Sequence, residues 1–303
     1  MPDRRPHTNP RTRMSTIATI LSALTMLALS CRPAPPPIPD PAPPADVAEP
    51  PAQEAQNADA AVSALPPHLE ALLDELEASG RDLTGFTADI TYEKFDALLE
   101  RREVRLGEIL YRVDPVSGAK SFAILFSRIV INRRANDEPK HFIFDGRWLA
   151  EINQNDRQLI QREIVPPGEM FDPLKLGEGP IPLPIGQAKA DVLKRFEVTD
   201  ASLPTEGLLA RLDAATVDGI RLIPLPGVPE ADEFRHVDLF YDKTTRLPMG
   251  IDAVEPNDDR KTVLLSNVQR NPEFTDAMKA KIVIPEPNPR EWRIDVQPWR
   301  GNG

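Results

Sequence analysis

His141-Phe142-Ile143-Phe144-Asp145-Gly146-Arg147-Trp148-Leu149-Ala150-Glu151-Ile152 reads as two strands joined by a tight turn. Asp-Gly between two apolar runs is a strong hairpin signal, because both central residues of a type I′ turn need φ > 0. Strand-like runs lie on either side of it: 86–92, 105–112, 121–131 and 158–164. The style repeats at 237–241, 247–254, 262–268 and 281–284. Short connections between so many strands imply an antiparallel sheet, since a parallel crossover needs a dozen or more residues. The expected class is mainly β (α+β).

Several of these strands are apolar on both faces. Phe122, Ile124 and Phe126 alternate with Ala123 and Leu125, and Phe142 and Phe144 flank Ile143. A sheet with one solvated face alternates apolar with polar, so this one is expected to be covered on both sides, by its own helices or by an apolar ligand.

The chain has 303 residues and a net charge of −11. That balance gives no electrostatic footprint for nucleic acid, which needs a basic patch. Residues 1–30 read as a secretory leader: Arg11 and Arg13 precede an uncharged, mostly apolar run from Thr16 to Leu29, too short to span a bilayer comfortably. It ends Leu27-Ala28-Leu29-Ser30-Cys31, which resembles the bacterial lipobox. In that kind of signal the cysteine is diacylated and becomes the first residue of the mature protein, and two acyl chains give stable anchoring. Cys31 is the single cysteine of the chain, so no intrachain disulfide forms. The alternative is an ordinary signal peptide cleaved nearby. Arg32 follows the cysteine, which favours the outer membrane.

Residues 31–66 are rich in Pro and Ala and have little to bury. They are expected to form a semi-rigid tether with a reach on the order of 100 Å. After Pro66-Pro67, the spacing of Leu69, Leu72, Leu73 and Leu76 predicts an amphipathic helix ending at Gly80. Its leucine stripe is core against the sheet, or one wall of a ligand cavity. Between the strand groups, Ile181, Leu183 and Ile185 lie on a Pro/Gly-rich segment that cannot be a central strand. A short helix over 187–196 follows. This segment is either a cover over an open sheet or a plain packing loop. Residues 208–213 and 221–225 read as short strands, and 287–303 as an irregular tail.

Taken in order, these residues resemble a known family. The helix is followed by Phe86-Thr87-Ala88, then Gly107-Glu108-Ile109-Leu110-Tyr111, then Phe144-Asp145-Gly146-Arg147-Trp148. Val237-Asp238-Leu239-Phe240-Tyr241-Asp242, Leu247-Pro248, Lys261-Thr262-Val263, Phe274 and Ile282-Val283-Ile284-Pro285 come later. The whole is similar to the LolA/LolB-like lipoprotein carriers over roughly residues 68–286. The resemblance implies an open antiparallel half-barrel covered by a few helices, whose hollow holds lipoprotein acyl chains on their way to the outer membrane, with no bond made or broken. Those carriers also have an arginine that holds the lid, for which Arg112 is the nearest match. The lipid anchor and long tether make this chain more like LolB or a divergent paralogue than like a soluble carrier.

The same residues carry no signature of catalysis. His7, His68, His141 and His236 do not stand at metal spacing, and no nucleophile elbow or phosphate-cradling glycine loop occurs. The expectation is a non-enzymatic monomer without cofactor, in the bacterial cell envelope and facing the periplasm. Its membrane contact is lipidated Cys31. Its expected ligand is an acyl chain of a lipoprotein or lipid, lined by Phe86, Ala88, Ile90, Phe122, Ile124, Phe126, Phe142, Phe144, Leu247, Met249 and Ile251. The lid is Leu69, Leu72, Leu73, Leu76, Ile181, Leu183, Ile185 and Arg112. The alternative use of the same fold is an envelope sensor or anchored interaction scaffold.

Overall fold

The structure, a computed structural model, describes residues 65–165 and 185–299. The leader, Cys31, most of the tether, Ile181 and Leu183 lie outside them. After helix α1 (Pro67–Arg81), six strands follow in a meander. They are β1 (Gly85–Asp96), β2 (Arg101–Val113), β3 (Lys120–Ile131), β4 (Arg134–Phe144), β5 (Trp148–Asn153) and β6 (Gln158–Glu163). Helix α2 (Lys189–Arg195) leads into β7 (Phe196–Asp200) and β8 (Val217–Pro224), and the short α3 (Glu230–Glu233) precedes β9 (His236–Asp242). The chain closes with β10 (Pro248–Val254), β11 (Arg260–Arg270), α4 (Asp276–Lys281) and β12 (Arg293–Gln297).

All twelve strands form one sheet, ordered β12-β6-β5-β4-β3-β2-β1-β11-β10-β9-β8-β7. The β1–β11 pairing, which sets Ile90 against Leu265, joins the two halves of the chain. Every pairing is antiparallel except that of β12 with β6. The protein is mainly β, an open sheet with a few helices, as its sequence implies. Among the described residues no helix is long and apolar enough to cross a membrane.

The sheet wraps one helix. A single cluster of packed side chains takes inward residues from β5 round to β7, and α1 sits in it with Leu69, Leu72, Leu73 and Leu76. Pro67 suits the first turn of α1, where its missing N–H is not needed. Gly80 does not end the helix, which runs one residue further. A Cβ on Gly80 would stand 2.3 Å from the Cα of Gly186, so glycine here allows two backbones to touch.

The second apolar face is covered by the chain itself, in two patches. Leu110, Ala123, Ile143, Ala150, Ile152 and Leu159 lie under Phe274, Met278, Ile282, Ile284 and Trp292. Val217, Phe240, Met249 and Leu264 lie under Leu203, Leu209 and Leu212.

Several local expectations are corrected. The hairpin at Asp145 forms, but only Gly146 has positive φ (106°), so the central pair is Gly146-Arg147 in the manner of a II′ turn. Asp145 Oδ1 accepts from the N–H groups of Arg147 and Trp148 at 2.9 and 2.8 Å. Residue Phe196 begins a strand instead of ending a helix. Leu209–Arg211 is a 3₁₀ turn, and the strand near 221 is longer than expected. Lys281 closes α4, and residues 282–284 drape over the outer face without strand partners. The tail supplies β12, held by backbone pairing with β6 while all five of its residues stay exposed.

Gly80 allows a test by sign. In a free-standing helix Gly→Ala would add about 1 kcal/mol of stability. Here the Gly186 contact predicts that Gly80→Ala instead lowers it, by about 1–3 kcal/mol, in urea denaturation.

Candidate functional site beneath the helical cover

The inner face is built by strand alternation, with residues i, i+2 and i+4 on one side. Phe86, Ala88 and Ile90 of β1, Phe122, Ile124 and Phe126 of β3, and Phe144 of β4 are all buried in the one cluster under α1. Leu247 and Ile251 join it, and Phe142 packs at its margin. The rings meet edge to face or tilted. Phe122 and Phe144 centroids are 5.8 Å apart, Phe86 and Tyr111 5.6 Å, and Phe126 and Phe142 6.5 Å. Ile109, Tyr111, Leu239, Tyr241, Val263 and Leu265 also line this face, and their period-2 spacing was visible in the sequence.

Met249 does not belong to this set. A bulge between Pro248 and Gly250 breaks the alternation of β10, so Met249 turns to the outer face and packs with Phe240, Leu209 and Leu264. Ile185 is buried in the inner cluster beside α1.

Arg112 is likewise misplaced as a lid residue. Its neighbour Tyr111 points inward, so Arg112 points outward, near Asp114 at 3.4 Å. It lines a recess of about 400 Å³ with Lys279 and residues 282–286, on the side away from α1.

Other side chains fasten the helix. Arg270, at the end of β11, donates from Nη2 to the carbonyl oxygen of Ser79 at 2.6 Å, and from Nη1 to that of Thr245 at 3.3 Å. Arg246 bridges Glu75 of α1 and Asp218. Lys189 of α2 holds Asp74 at 2.7 Å, and its backbone N–H donates to Glu77 Oε2 at 2.9 Å. That N–H and Arg81 hold the Glu77 carboxyl below its usual range, while the bond to Asp74 raises the Lys189 ammonium. His68 meets Asp200 at 2.9 Å. These bonds ring the rim of the helix, and only leucines occupy its underside.

Among the described residues, a cavity of about 20 Å³ lies between α1, α2 and the sheet, walled by Leu73, Leu76, Gly186, Gln187, Val192, Ile220, Leu222, Leu239 and Tyr241. That volume admits about one water molecule. Burial pushes Tyr241 well above the usual tyrosine range and Tyr92 up to about 12, so both hydroxyls keep their protons at any physiological pH. Burial also lowers the pKa of His141 and His236. Among the described residues no three His, Cys, Asp or Glu side chains converge as a metal site.

No family model and no curated protein sequence matches the chain. Among solved structures it is similar to a chain of the Pseudomonas aeruginosa MucA/MucB complex, at 11% identity and TM-score 0.38, over 69% of this chain. The match spans 59% of that chain, less than two thirds of its length. The Mycobacterium tuberculosis lipoprotein LppX aligns at 11% identity and TM-score 0.35, over 70% of this chain and 100% of that one. A LolA superfamily protein from Nitrosomonas europaea aligns at 9% and 0.27, over 69% and 96%. No TM-score here reaches 0.5, so these likenesses carry no functional weight.

The rim bonds make a contrast that hydrogen exchange can read. Arg270→Ala removes the donor to Ser79 and is expected to speed exchange of the α1 amides at least several-fold. Arg112→Ala should leave them unchanged. Equal protection in both variants would mean that Arg270 does not hold the helix.

Proposed function

We propose that the protein is a non-catalytic, lipid-anchored monomer of the bacterial cell envelope, facing the periplasm from the outer membrane. It holds acyl chains of lipoproteins or lipids between α1 and the inner face of the sheet, in lipoprotein sorting or transfer. One observation carries this reading: among the described residues, a phenylalanine-rich inner face of the sheet is covered chiefly by the leucine stripe of α1, with Ile185 and Val192 beside it, and the polar fastenings of that helix lie at its rim.

Magnitudes favour an exchange of helix for ligand. Undocking four buried leucines costs about 6–12 kcal/mol at roughly 1.5–3 kcal/mol each. An acyl chain of about 16 carbons recovers about 12 kcal/mol at roughly 0.8 kcal/mol per buried CH₂. One chain thus roughly offsets the helix, and two exceed it. An acyl chain has few polar atoms, so a site selected for it is apolar and only weakly directional, as this face is.

The small residual cavity favours a second reading, in which the hollow is permanently filled by its own core and the protein is an envelope sensor or anchored scaffold. Native mass spectrometry of the chain purified from cells without detergent separates the two. The carrier reading expects a co-purifying lipid that leaves on denaturation. A folded, lipid-free chain that takes up no added fluorescent fatty acid would leave the scaffold reading.

A further inference from the structure

One polar group inside the hollow has no partner. Gln187 follows Gly186 at the seam of α1, α2, β8 and β9 and lines the cavity described above. Its Oε1 accepts from Arg195 Nη2 at 3.1 Å. Arginine can only donate, so the amide oxygen must face Arg195 and the amide nitrogen is left as the other end. Arg195 is itself fixed, donating to Glu230 Oε1 at 2.5 Å and to the Asp191 carbonyl at 3.2 Å. Gln187 Nε2 is buried and donates to no partner among the described residues. Glu230 Oε2, on the far side of Arg195, is also without a donor.

Buried amide donors are nearly always paired. A water molecule is a poor partner here, because buried waters usually make about three hydrogen bonds. Among the described side chains on the cavity wall, only Gln187 and Tyr241 are polar; the others are Leu73, Leu76, Val192, Ile220, Leu222 and Leu239. The site is therefore an unpartnered amide donor, beside a tyrosine, on a wall whose other side chains are aliphatic. An acyl group has the matching pattern, one carbonyl oxygen at the head of a hydrocarbon chain.

We propose that Gln187 Nε2 donates to the carbonyl oxygen of a bound acyl ester or amide and so fixes where the head of the chain sits. The ligand class is then acyl-carbonyl compounds and not bare hydrocarbon or ether chains. This rests on the reading that the hollow takes acyl chains. It makes Gln187 a binding residue, with Arg195 and Glu230 orienting its amide. The same carbonyl chemistry occurs in membrane phospholipid and in lipoprotein acyl groups.

The test uses the full chain and two fluorescent probes of equal length, a hexadecanoyl ester and a hexadecyl ether. The wild-type protein is expected to bind the ester about tenfold more tightly, which corresponds to roughly 1.4 kcal/mol. Gln187→Leu should bind both probes at the affinity of the ether. Equal binding of ester and ether by the wild type overturns the role of Gln187 and needs no variant. Binding of neither probe by folded wild-type protein overturns the acyl reading itself. Displacement of the ester by a short-chain diacyl phosphatidylglycerol points to membrane lipid, and displacement by a diacylated cysteine peptide points to lipoprotein. Either supports the proposal.

Discussion

The structure depends on covering one face. The strands from β5 round to β7 present an inner surface of phenylalanine and aliphatic side chains, and four leucines of one fifteen-residue helix pack into it. Neither part is stable alone: the sheet face would be exposed to water, and an isolated helix of this length is marginal. The docked helix is therefore both the core of the domain and the obstacle to anything else that would enter it. The polar rim bonds follow from this constraint. They set the position of the helix without adding to its underside, which stays non-directional.

The outer face meets the same demand differently. Two segments of the chain are laid over its apolar patches, one after β7 that includes the 3₁₀ turn at Leu209–Arg211 and one after β11 that includes α4.

Much of this was legible in the sequence, and the failures have physical causes. The Leu69–Leu76 stripe and the alternation in β1, β3 and β4 gave the helix and the inward residues, because burial enforces those periods. Met249 was misread because a one-residue bulge reverses the facing of a strand, and period-2 counting cannot see it. Arg112 was carried over from the family resemblance against the parity of its own strand, where Tyr111 faces inward. The arginines that do hold α1, Arg246 and Arg270, sit at turns and strand ends, where no periodic signal marks them. β12 was invisible because it pairs through its backbone with every side chain exposed. Gln187 carried no signal at all, since its burial arises only where α1 meets the segment before α2.

The central claim is that acyl chains enter beneath α1. It is tested most directly by loading the protein with a fatty acyl probe carrying a diazirine along its chain, irradiating, and mapping the labelled peptides by mass spectrometry. The account predicts labels on the inward residues of β1, β3 and β4 and on the leucines of α1. Labels confined to exposed apolar positions such as Leu98, Leu99 and Val116 would contradict it.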